Sequence, residues 1–147
     1  FAWAEARSLG LDCLRSDAAF ASVEQRRGLA EAVGRADWRA GAAKVMFLIG
    51  DAPPHMDYDG DIPYGESLQA ALAEGIRIHS VAANGLVDYP AGSLVFRQIA
   101  QFTQGRFLFI EYGASGTRHG ITGAYKTNNL DALVVRIVRD ELREYTR

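Results

Sequence analysis

The chain has 147 residues, 48% hydrophobic and 23% charged, enough for one globular domain and short for two. A net charge of −2 offers no basic surplus for nucleic acid or an anionic membrane. The single cysteine, Cys13, excludes an internal disulfide, and no apolar run approaches the ~20 residues of a membrane-spanning helix.

Phe1 to Ser16 is the least defined segment, with weak periodicity interrupted by Gly10. Glu5, Arg7 and Asp12 stand where a secretion signal would be apolar, and without an initiator Met the chain reads as a processed form or a fragment. The next stretch, Ala18 to Ala36, has helical spacing. Phe20, Val23, Leu29, Ala30 and Val33 share a stripe opposite Glu24, Arg26, Arg27 and Glu31, and Asp17 is placed to cap it. Lys44 to Ile49 is predicted to be a strand buried on both faces, because Val45 to Ile49 is an uninterrupted apolar run. It stops at Gly50-Asp51, and Pro53 and Pro54 forbid its continuation.

Asp51 to Tyr64 is a loop rich in Pro, Asp and Gly. Gly65 to Glu74 reads as a helix with Leu68, Ala71 and Leu72 inward and Gly75 as its stop. In the strand predicted at Ile76 to Ala83, Ile76, Ile78 and Ser80 share one face and Arg77, His79 and Val81 the other. Ser93 is placed to cap a third helix carrying Val95, Phe96, Ile99, Ala100 and Phe102, which Gly105 ends. Arg106 to Tyr112 is the third strand, and Gly113 to Asn128 reads as a polar loop. Asn129 caps a last helix, with Leu130, Leu133, Val134, Ile137, Val138 and Leu142 inward, Asp131 in its first turn and Arg143 in its last. Helices and strands alternate throughout. The order predicts a single α/β domain over 1–147, a three-layer, open, mostly parallel sheet with helices on both faces.

In such sheets ligands bind just past the carboxyl ends of the strands. Asp51 occupies that position, where a carboxylate can hold a hard cation or cap a turn. Asp57, Asp59 and Asp61 alternate along the same loop. An EF-hand beginning at Asp57 would need Gly at Ile62 and Glu at Leu68, so that motif is excluded. His55 lies between Asp51 and Asp57, but no His-x-His or His-Glu-x-x-His accompanies it. His79 is mid-strand and reads as a hydrogen-bonded sheet residue. There is no Gly-x-Ser-x-Gly, no phosphate-binding glycine loop and no dinucleotide fingerprint.

Leu48-Ile49-Gly50-Asp51-Ala52-Pro53-Pro54-His55 resembles a strand and loop of von Willebrand factor type A (VWA) domains of the bacterial type. Trp38-Arg39, Gly75 to His79, Ile99-Ala100, Thr103-x-Gly105-Arg106-Phe107 and Leu130-Asp131-x-Leu133 match the family in order and spacing. The similarity runs from about Ser22 to the end and covers the second half of the fold, without the family's central first strand. It implies a VWA (Rossmann-like) fold and a metal-ion-dependent adhesion site at the strand carboxyl ends, in which Asp51 matches a metal ligand. The family's Asp-x-Ser-x-Ser motif is absent, and no Thr stands near Ala19 to Glu24, where relatives carry one. Mg²⁺, or Ca²⁺ or Mn²⁺, is therefore expected to bind weakly, at Asp51, with His55, Asp57 and Asp59 shaping the rim.

The resemblance implies a non-enzymatic module that binds a protein partner through these loops. A metal-dependent hydrolase using Asp51, His55 and Asp57 is the rival, and a purely structural module the third reading. A missing first strand would leave the strand at Lys44 with an exposed apolar edge, to be covered by Phe1 to Ser16, another segment or a second copy.

Overall fold

The computed structural model describes residues 24–52, 62–83, 86, 89–113, 116–121 and 130–147. Its elements are α1 (Glu24–Arg35), β1 (Lys44–Gly50), α2 (Tyr64–Ala73), β2 (Ile76–Ala82), α3 (Pro90–Phe102), β3 (Phe107–Gly113), β4 (Gly116–Ile121) and α4 (Leu130–Tyr145). The sheet order is β1-β2-β3-β4. The first three strands are parallel, and β4 runs antiparallel to β3. The fold is thus α/β with a three-strand parallel core.

Two successive crossovers that step the same way across a sheet, with the same hand, lay their helices on one face. Accordingly Leu68 and Ala71 of α2 and Ile99 of α3 pack with Ile76 and Ile78 of β2, and Leu29 and Val33 of α1 join them. Phe96 and Ala100 of α3 pack on Ala82 and Phe107. On the opposite face Leu133 and Ile137 of α4 meet Val81, Leu108 and Ile110, with Phe47 alongside. The expected alternation of β2 holds on both faces.

Several sequence expectations are corrected. The stretch read as a polar loop from Gly113 contains β4, which pairs from Gly113↔Gly116 to Leu108↔Ile121. Ser93 does not cap α3. The helix starts at Pro90 after Tyr89, and Ser93 sits inside it, donating from Oγ to the carbonyl of Leu86 at 2.9 Å. A proline's fixed φ and missing N–H suit a first helical position. Leu72 and Phe102, expected inward, are exposed; each lies in the last turn of its helix, turned away from its buried neighbours Ala71 and Thr103. Ser67 instead is buried beside Leu68. The positions of Phe20, Val23, Asp17 and Asn129 lie outside the described residues.

β1 is not buried on both faces. Lys44 to Leu48 are half-buried and Ile49 is 59% exposed, whereas every residue of β2 but Arg77 is buried. Among the described residues β1 pairs with β2 alone.

Candidate functional site

At the carboxyl ends of the strands the chain leaves the sheet where the apolar run stops. Gly50 is the last residue of β1, and its carbonyl accepts the Ala83 amide at 2.7 Å, so β1 and β2 stay tied to their tips. Asp51 follows directly and is exposed. It therefore stands at the rim where open α/β sheets bind ligands. Beside it the chain after β2 is drawn in by Leu86, which is fully buried against Phe96. This places Tyr89, 56% exposed, directly before α3 on the same rim. Ile62, 42% exposed, precedes α2 there. His55, Asp57 and Asp59, expected to shape the rim, lie outside the described residues. Among the described residues no three His, Cys, Asp or Glu side chains come together. One exposed carboxylate completed by water is a poor holder of Mg²⁺, and the described residues alone do not fit that ion.

Among the described residues a denser electrostatic constellation lies elsewhere, under α4. His79 is fully buried in β2, its ring stacked on Phe47 at 5.1 Å between centroids. The Arg106 amide donates to His79 Nδ1 at 3.0 Å. With Nδ1 accepting, the ring proton belongs on Nε2. Nε2 makes no hydrogen bond but faces Glu141 Oε1 at 3.4 Å. That is long for a good hydrogen bond and short enough for attraction. Glu141, 5% exposed, also accepts from Arg77 at 2.6 Å, and Arg77 reaches Glu144 at 2.5 Å. Burial pushes the Glu141 carboxyl up, but His79 and Arg77 together outweigh it and hold it below the ordinary carboxylate range. The hydrogen bond that Arg77 donates to Glu144, opposed by burial, leads the influences that raise the Arg77 pKa.

Arg77, Glu141 and Glu144 border a groove of about 440 Å³ at the amino ends of β1 and β2, with Lys44, Gln104 and Tyr145. Its charges are already engaged: Arg77 by both glutamates, and Lys44 by Glu74 at 3.0 Å. The cluster therefore reads as the polar fastening of α4 to the sheet, at the end opposite the strand carboxyl ends. His79 behaves as the hydrogen-bonded sheet residue its position predicted. Glu141 was missed, although it continues the inward stripe of Leu133 and Ile137 at four-residue spacing.

Thr103 explains part of the Thr-x-Gly-Arg-Phe pattern without invoking a ligand. β2 pairs with β3 only from Ser80 onward, which leaves the amide of Ile78 beyond the ladder. Thr103 Oγ1 accepts that amide at 3.1 Å and donates to the carbonyl of Ile99 at 2.8 Å. Thr103→Val keeps the shape and removes the acceptor, leaving a buried N–H unpaired. Urea unfolding should show a loss of about 1–3 kcal/mol. Wild-type stability in the variant would mean that Ile78 finds another partner.

The chain matches no protein-family model, no curated protein and no solved structure.

Proposed function

We propose that this chain is a VWA-like interaction module, three-layered and without enzymatic activity, that binds a protein partner through the loops at the carboxyl ends of its strands. The observation that carries this reading is the position of Asp51, exposed directly past the end of β1. Exposed Ile62 and Tyr89 beside the same strand ends support it, since apolar and aromatic side chains around a polar anchor are what protein interfaces use. Asp51 would hold a divalent cation weakly, Mg²⁺ by preference, and His55, Asp57 and Asp59, which follow it in sequence, are the candidates to shape the rim. Such an ion would supply an open coordination position for a partner's carboxylate.

Thermal unfolding in Mg²⁺, Mn²⁺ or Ca²⁺ against EDTA, for the wild type and Asp51→Ala, tests the metal part. A ligand that binds only the folded state raises its stability by mass action. A rise that Asp51→Ala abolishes is expected if the cation belongs to the site. No shift in either protein would reduce the proposal to a metal-free module. The binding part is tested by capture of partners on the wild-type chain against Asp51→Arg. Capture that the variant leaves unchanged would move the interface away from this rim.

A further inference from the structure

A strained side chain borders the groove at the amino ends of β1 and β2. Among the described residues Gln104 is the only one besides glycines with a positive φ, 59°. Glycine would serve the turn that ends α3 as well, at less backbone cost. A side chain kept in such a conformation points to a use for that side chain. Gln104 is exposed, and its carboxamide makes no hydrogen bond among the described residues. It lines the groove of about 440 Å³ together with two exposed apolar side chains, Leu72 of α2 and Tyr145 at the end of α4. Apolar walls around a few polar groups are the usual make-up of a small-molecule site.

Charge and hydrogen-bonding capacity select the ligand. Arg77 gives Nη1 to both Glu141 and Glu144, and Lys44 Nζ is held by Glu74 at 3.0 Å. Each cation of the groove already has its carboxylate, so neither an anion nor a cation finds an uncompensated charge there. Nε and Nη2 of Arg77 make no hydrogen bond among the described residues. Gln104 adds two N–H donors and one carbonyl. The surplus is in donors, which calls for a neutral ligand with a carbonyl acceptor.

We propose that this groove binds a neutral carboxamide carried on an aromatic ring. The ligand's carboxamide exchanges two hydrogen bonds with that of Gln104, and its carbonyl takes a further N–H from Arg77. The ring lies against Tyr145 and Leu72, where aromatic contact adds to the apolar area covered. The site is at the opposite end of the strands from Asp51, so it does not depend on the partner-binding rim.

Amide NMR titration of the full chain with benzamide, benzoate and benzylamine tests the proposal. The three probes share a ring and nearly a size and differ in charge. The expected result is saturable shifts at Gln104, Arg77 and Tyr145 with benzamide, and clearly weaker binding of both charged probes. Gln104→Gly is the variant, because it removes the carboxamide while relieving the left-handed strain. Thermal unfolding of the variant checks that it folds at least as stably as the wild type. It should bind benzamide about tenfold more weakly, the effect of losing one or two hydrogen bonds. A wild type whose Gln104, Arg77 and Tyr145 signals stay put with all three probes overturns the proposal. Equal binding of the three, or a preference for a charged one, overturns it as well. So does a folded Gln104→Gly that binds benzamide like the wild type, since the strained side chain would then serve no ligand.

Discussion

Glu141→Ala is expected to lower stability by about 3 kcal/mol in urea unfolding, among the larger effects available outside the apolar core. Glu141 is the shared acceptor of the α4 fastening. Its removal leaves Arg77 with Glu144 alone and leaves the buried Nε2–H of His79 without the carboxylate it faces. Breaking a buried pair by deleting one partner usually costs about 3–5 kcal/mol, because the remaining charge is stranded. Arg77 is 32% exposed and can turn to water, which argues for the lower end. The pH dependence has a definite sign. The folded-state pKa of Glu141 lies below its ordinary value of 4.5. The unfolded chain therefore binds the proton more readily, and stability from this group is complete above about pH 4.5. It is lost as pH falls from there through the lower folded value. Glu141→Gln should flatten that acid limb. An acid limb unchanged by Glu141→Gln would show that the carboxylate is no better stabilised in the fold than in the unfolded chain.

The cluster also shows what could be read from the sequence and what could not. β1 and β2 were legible because an apolar run and an alternating run have few other interpretations, and β2 puts Ile78 and His79 on the faces its pattern assigns. Asp51 was legible as a strand-end residue by the same reasoning. The partners proposed for it depend on a loop, and periodicity does not constrain how a loop rich in Pro, Asp and Gly folds back. β4 was missed because polarity and glycine mark both a loop and a blunted edge strand. The available signal was Gly113 and Gly116 bounding two residues, a spacing that hairpins favour. The start of α3 was misplaced because Ser93 is a good cap in isolation, while Pro90 carried the stronger cue. Glu141 was overlooked because a charged residue on an apolar stripe is usually assigned to its margin. Only the tertiary contact with His79 and Arg77 shows why it points inward.

Gly105→Ala is expected to cost about 3 kcal/mol or more, through space and not through backbone freedom. α3 ends in a Schellman turn. The Gly105 amide donates to the carbonyl of Ala100 at 2.7 Å, and the Gln104 amide to that of Gln101 at 3.2 Å. The left-handed position of this turn falls on Gln104, with φ of 59°, where glycine is the usual occupant. Gly105 needs no unusual φ, but a Cβ there would overlap the carbonyl of Ile78. Ile78 belongs to the central strand and is fixed by Thr103 on one side and by pairing with Met46 on the other, so it cannot retreat. Overpacking against a rigid backbone usually costs ~1–3 kcal/mol and more where nothing yields. The neighbouring change should have the opposite sign. Gln104→Gly relieves a left-handed conformation in a side-chain-bearing residue and should stabilise by about 0.5–1 kcal/mol after the added freedom of the unfolded chain is deducted. Urea midpoints of the two variants separate these causes. A Gly105→Ala protein within a few tenths of a kcal/mol of wild type would mean that the end of α3 rides clear of β2, and the contact from Thr103 to Ile78 would fall with it.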